Sequence, residues 1–247
     1  MGTATSFHAC TSASDLRCHR SLQRPQLCAL AGWQALDMGR LTEAWQHHER
    51  GKAAAKESSS PEFEAHVTAE QAFVLIDLGE IKEAVELLVA VQHKSKRRLG
   101  QLMQAWLTAA HGEALAAMLQ RSESVRAFDQ ALTLLPPAAP PRDSGPYVVL
   151  DTVHLERWRG HALARLGEPE AAEVLTRALA MLDPTFVRAA TALRIDLASA
   201  LLATNEQEQA GLIMNQARAF AADIGSERQT RRILTMWRNV DSKTRHR

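Results

Sequence analysis

Hydrophobic and polar residues follow one another along this chain with helical period, and no stretch shows the sustained two-residue alternation of a half-buried strand. On that pattern sits a three-part spacing that recurs five times: a small residue, a turn-forming residue seven positions on, and a second small residue five beyond that. The sets are Gly32/Gly39/Ala44, Ala72/Gly79/Ala84, Gly112/Leu119/Ser124, Gly160/Gly167/Ala172 and Ala198/Asn205/Ala210. Small residues on facing helices let two backbones approach closely. Gly at the middle position takes the left-handed conformation that ends a helix, and Asn205 is the next most tolerant residue there. The spacing predicts paired helices near 22–38 and 41–57, 61–78 and 80–95, 98–118 and 122–135, 147–166 and 168–182, and 185–204 and 206–224, then a single helix near 226–240. Leu119 is a poor left-handed residue, so in the third unit the turn is expected near Arg121 and Ser122, with Ser122 capping the next helix. The expected product is a stack of hairpins with one apolar seam, not a closed globule.

The spacing resembles tetratricopeptide repeats. In the third unit Phe128, Ala131 and Pro136 follow Ser124 as the family pattern's Phe, Ala and Pro follow its second small residue, and Pro184 ends the fourth unit in the same way. Successive turn positions lie 40, 40, 48 and 38 residues apart, longer than the ~34 of the standard repeat. The expected fold class is therefore all-α: a right-handed solenoid of about five stretched tetratricopeptide-like hairpins with a C-terminal capping helix.

Composition narrows this picture in a few places. Residues 1–21 are rich in Ser, Thr and Ala without periodicity and read as a flexible lead-in; 22–240 form the repeat domain, interrupted by a proline-rich connector at 136–146, and 241–247 form a basic tail. No 18-residue apolar run exists, and the first 20 residues carry Asp15, Arg17 and Arg20, so neither a membrane span nor a secretory signal is expected and the cytoplasm is the expected location. Cys10, Cys18 and Cys28 lack zinc-like spacing and read as reduced thiols. The formal charge of +1 hides a basic end, since Ser226 to Arg247 holds seven Lys/Arg against Glu227 and Asp241. Its patch of Arg228, Arg231, Arg232 and Arg238 reads first as the solvated face of a terminal helix. The competing reading is a surface for nucleic acid or an acidic partner, and no groove-reading motif accompanies it.

In tetratricopeptide arrays the first helix of each hairpin lines the concave face, so the resemblance nominates groove residues. They include Trp33 in the first unit, His66 and Phe73 in the second, Trp106 and Glu113 in the third, and His154, Arg157 and His161 one turn apart in the fourth. Aromatic groups beside a guanidinium fork suit a peptide or small molecule with an apolar body and an anionic end. The competing reading makes the aromatic residues packing groups between hairpins and the histidines structural. The Lys/Asn/Arg clamp of chaperone-tail-binding arrays is missing from these positions. A homodimer through the stack ends, near Leu22 and Trp237, is a further possible assembly.

A second resemblance is carried by His154-Leu-Glu-Arg-Trp-Arg-Gly-His-Ala-Leu-Ala-Arg-Leu-Gly167, by Glu170-Ala-Ala, by Leu182-Asp-Pro184 and by Cys28-Ala-Leu-Ala-Gly-Trp-Gln-Ala-Leu-Asp-Met-Gly39. These segments resemble the C-terminal sensory arrays of actinobacterial helix-turn-helix regulators. The resemblance implies transcriptional control by a protein or small-ligand signal. Residues 1–21 are too short for the DNA-binding domain of such regulators, which implies a stand-alone sensor or a missing domain.

Catalytic spacings are not found. The chain has no Glu-x-x-His pair, His-Glu-x-x-His, Gly-x-Ser-x-Gly or phosphate-loop glycine pattern, so no catalytic residue, metal or cofactor is expected and an unrecognised helical enzyme is the least favoured alternative.

Overall fold

A computed structural model describes residues 13–95, 98–137, 148 and 150–245, with side chains from residue 24 to residue 238 of these. They form α1 (Ala13–Asp37), α2 (Leu41–Glu57), α3 (Pro61–Leu78), α4 (Ile81–Ser95), α5 (Gln101–Ala117), α6 (Arg121–Leu134), α7 (Thr152–Leu166), α8 (Ala171–Met181), α9 (Val187–Ala203), α10 (Gln207–Asp223) and α11 (Glu227–Arg245), with no strand among the described residues. Helices α2 to α6 and α8 to α10 lie within three residues of their expected ranges.

The ends depart further from expectation. Helix α1 begins at Ala13, inside the segment read as a flexible lead-in, and α11 runs through the expected tail to Arg245. Helix α7 starts at Thr152 because Asp151 caps it, accepting a hydrogen bond from the His154 backbone N–H at 2.8 Å. Most of the 136–146 connector falls outside the described residues.

Even-numbered helices each bury one stripe at helical spacing: Ala84, Leu88 and Val91 on α4, Ala171, Leu175 and Ala178 on α8, and Ala210, Met214 and Ala217 on α10. The inner helices are covered on more sides, and α5 buries twelve of its seventeen residues. Each odd helix touches its hairpin partner, the preceding outer helix and the next odd helix, so the apolar seam passes from unit to unit. The two ends of the stack meet where α11 reaches α1. Asp37 at the end of α1 accepts hydrogen bonds from Ser226 Oγ at 2.6 Å and from the Arg188 guanidinium, while Arg231 donates to the Gly39 carbonyl at 3.0 Å. One turn of hairpins thus closes into a ring.

The recurring small residues act as expected, with one correction. A Cβ added to Gly32 would lie 2.5 Å from the buried ring of His48, one at Gly112 would lie 2.9 Å from Phe128, and one at Gly160 would lie 2.9 Å from Leu175. Ser124 adds a hydrogen bond across its hairpin, from its hydroxyl to the Gly112 carbonyl at 2.8 Å. In the fourth unit Ala171 is the fully buried small residue and Ala172 is only half-buried, because the turn after Gly167 runs through Pro169 and delays α8.

All five middle positions are left-handed, with φ of 71° at Gly39, 89° at Gly79, 61° at Leu119, 74° at Gly167 and 65° at Asn205. The turn of the third unit therefore stays at Leu119, Arg121 already begins α6, and Ser122 does not cap it. The backbone bonds of that turn, Leu119 N–H to Ala116 O and Gln120 N–H to Leu115 O, hold the exposed leucine in a conformation that disfavours a Cβ. Leu119→Gly is expected to raise the unfolding free energy by about 1 kcal/mol, and the melting temperature by about 2–4 °C. A thermal melt followed by circular dichroism checks this; an unchanged or lowered midpoint would show that the left-handed turn stores no strain.

Candidate functional site

The ring encloses two adjoining cavities of about 400 Å³ and about 510 Å³ on the inner side of the odd helices. They share Asp77 of α3, His161 and Arg165 of α7, Asp196 of α9, and Arg228 and Arg232 of α11. The smaller cavity continues from this polar wall past Trp106 and Trp158 to an end formed by Leu150, His154 and Arg157. Positions 154, 157, 158, 161 and 165 recur at three- and four-residue steps, which puts them on one face of α7.

A buried polar relay crosses the wall. Trp158 Nε1 donates to Glu113 Oε2, His161 Nε2 lies 3.4 Å from Glu113 Oε1, and His161 Nδ1 lies 2.8 Å from Asp196 Oδ1. Asp196 also accepts from Arg232, which bonds Gln229 Oε1 at 3.0 Å. Burial pulls the His161 imidazole down, but Asp196 and then Glu113 outweigh it and hold the ring above its ordinary pKa. Both ring nitrogens then donate. Burial pushes Glu113 up, yet the bond and charge of His161 bring it to about 2. Asp196 is likewise opposed by burial and held well below the carboxylate range by Arg232 and His161.

Arg228 completes the closure with a two-pronged pair, Nε to Asp77 Oδ2 at 2.7 Å and the second nitrogen to Oδ1 at 2.9 Å. Arg228 and Arg232 are partly buried and pair with Asp77 and Asp196, whereas Arg231, which donates to the Gly39 carbonyl, stays exposed as the solvated-face reading expects. Arg238 remains exposed, and side chains beyond it lie outside the described residues. Of the two residues named for a homodimer, Trp237 packs partly buried against the terminal core and the side chain of Leu22 lies outside the described ones.

Deeper in the wall, rings gather around Trp106. Its centroid lies 4.9 Å from His66, 6.3 Å from Phe73 in an edge-on arrangement and 5.9 Å from Trp158, and Phe73 lies 6.1 Å from Trp158. Beneath this cluster His66 Nε2 sits 3.5 Å from Glu70 Oε1, and both residues are buried. Burial, with His48 nearby, lowers His66 to about 4. Burial also raises Glu70 to about 7, against Arg228 and with Glu113. The facing His66 Nδ1 and Glu70 Oε2 have no hydrogen-bond partner among the described residues.

The structure brings six of the eight nominated groove residues, Phe73, Trp106, Glu113, His154, Arg157 and His161, to the cavity or its ring cluster, and His66 behind them. Trp33 departs from the expectation: it lies 40% exposed on α1 and lines neither cavity. Trp158, Arg165, Asp77 and Asp196 belong to the site and were not nominated. Trp158 and Arg165 could have been found by continuing the three- and four-residue steps along α7. Asp196 could not, because its partners His161 and Arg232 lie on other helices, 35 and 36 residues away in the chain. Among the described residues, no group of three His, Cys, Asp or Glu side chains is placed to hold a metal ion, and no helix is long and apolar enough to cross a membrane.

No protein-family model matches the chain, and no curated protein matches it. Two crystal structures of nearly identical TPR-like repeats, from a Podosopora anserina protein named as a kinesin light chain, are similar to it. Each is 21% identical and covers 84% of this chain and 97% of its own, with TM-scores of 0.48 and 0.47.

Proposed function

We propose that this protein is a non-catalytic sensing module that takes a protein, peptide or small-molecule signal into the space enclosed by its odd helices, and that it serves bacterial transcriptional regulation. The carrying observation is the pairing of an aromatic wall with two arginines of α7. Arg157 and Arg165 make no hydrogen bond or ion pair among the described residues, whereas the neighbouring carboxylates Asp77, Glu113 and Asp196 are all engaged. A half-enclosed site of this size, apolar in its walls and cationic at chosen points, is the usual form of a small-ligand or chain-end receptor. The regulatory part of the reading rests on the resemblance of the fourth and fifth units to sensory arrays of helix-turn-helix regulators. With Arg228 and Arg232 engaged by Asp77 and Asp196, the reading gives the chain a signal-receiving role in that setting and leaves DNA contact to a partner.

The test is retention of a native ligand. Wild-type protein and a Trp106→Leu/Arg157→Gln double variant of unchanged helicity are purified from the same native lysate and compared by native mass spectrometry. A molecule held by the wild type and lost from the double variant is expected. Equal retention by both proteins would place binding elsewhere and remove the cavity reading.

A further inference from the structure

The two cavities are lined by Arg157, Arg165, Arg228, Arg231 and Arg232 against three carboxylates, Asp77, Glu113 and Asp196. The α11 arginines are used in closing the ring, and His161 is already shared between Glu113 and Asp196. Arg157 and Arg165 of α7 make no hydrogen bond or ion pair among the described residues, although the charge of Arg165 reaches Glu113. Arg157 and Arg165 are eight residues apart on one helical face, which separates their attachment points by about 12 Å along the axis. Between them the smaller cavity presents Trp158 and Trp106. Arg157 is half-buried, and burial lowers its pKa despite the charge of Asp151, the sort of cationic group that gains most from an anionic partner. His154 lines the cavity as well, with Nδ1 taken by Asp151 at 2.7 Å.

Resting on the sensing function proposed above, we infer that the smaller cavity is a site for an elongated small-molecule dianion with a flat apolar middle. One anionic group meets Arg157, the other meets Arg165, and the body lies against Trp106 and Trp158. A small molecule is favoured over an extended polypeptide by the ring closure, because a chain laid along the concave face would run into α11 where it reaches α1. The volume of about 400 Å³ is that of a single compact ligand.

The probe is the para,para-dicarboxylate of biphenyl, compared with biphenyl monocarboxylate, neutral biphenyl methanol and a short polyglutamate by isothermal titration calorimetry. Wild type, Arg157→Gln and Arg165→Gln are used, each checked for an unchanged melting temperature. The dicarboxylate is expected to bind tightest, and each substitution to weaken it roughly tenfold or more, to the level of the monocarboxylate. Equal binding of the neutral alcohol, indifference to both substitutions, or no binding of any aromatic probe at millimolar concentration would overturn the assignment. Tighter, arginine-dependent binding of polyglutamate would replace the small molecule with a peptide. If a native ligand is still lost from the Trp106/Arg157 double variant while these probes fail, the dianion class falls and the sensing function stands.

Discussion

Asp196→Ala is expected to lower the unfolding free energy by about 3–5 kcal/mol, the cost of removing one partner from a buried charge network. The loss has two sources: His161 keeps only Glu113, and Arg232 loses its carboxylate. Its pH profile identifies the cause. His161 has a raised folded pKa, so its contribution is full below the ordinary imidazole value of about 6.5 and fades as pH rises through the folded value. Asp196 and Glu113 have lowered folded values, so theirs are present above the ordinary carboxylate value of about 4 and fade as pH falls through the folded ones. The deficit of the variant should therefore be largest between about pH 5 and about pH 6.5 and shrink toward alkaline pH. Urea unfolding followed by circular dichroism across this range measures it. A loss under about 1 kcal/mol, or one independent of pH, would mean that the relay is not a buried charge network.

Phe128→Ala should cost about 3–5 kcal/mol, because the ring is 2% exposed and fills the gap left by Gly112 on the facing helix. The pair tests the meaning of the small residues more sharply than either change alone. In the wild type, Gly112→Ala would set its methyl 2.9 Å from Phe128 and is expected to destabilise by about 1–3 kcal/mol despite the better helix propensity of alanine. In the Phe128→Ala background the same change should stabilise, since the methyl then enters vacated space. A double-mutant cycle in chemical denaturation reads this coupling. If Gly112→Ala acts equally in both backgrounds, close backbone approach is not why a small residue stands there.

The hairpin repeat was legible because its causes are local. A left-handed turn and a small residue at a helix crossing are properties of a few neighbouring positions, and they recur even where the turn residue is as ill-suited as Leu119. That exception shows why the repeat register outranked propensity. Two hairpin helices already packed through Gly112, Ser124 and Phe128 leave the turn no other place, and a strain of about 1 kcal/mol is small beside that packing.

The candidate site was legible only along single helices. His154, Arg157 and His161 share a face of α7 by periodicity, and Trp106 and Glu113 share one of α5. Their partners were not, since Asp196 pairs with His161 and Arg232 of other helices, and the α11 arginines resemble the charges of any solvated terminal helix. Trp33 was misplaced for the same reason: register puts it on a first helix, but the curvature of the ring decides what that helix faces.

Sequence alone determined the order and pairing of the helices and the bounds of α2 to α6 and α8 to α10, because backbone turns and close crossings depend on residues within one repeat. Tertiary structure alone decided that the C-terminal helices would curve back to the first two units, with Asp37 and Asp77 meeting Arg188 and Arg228 from segments distant in the chain. That closure depends on the small rotation between successive hairpins summed over the whole array, which no single repeat contains. It is what turned a basic C-terminal helix into the wall of a cavity whose Arg157 and Arg165 make no hydrogen bond or ion pair among the described residues.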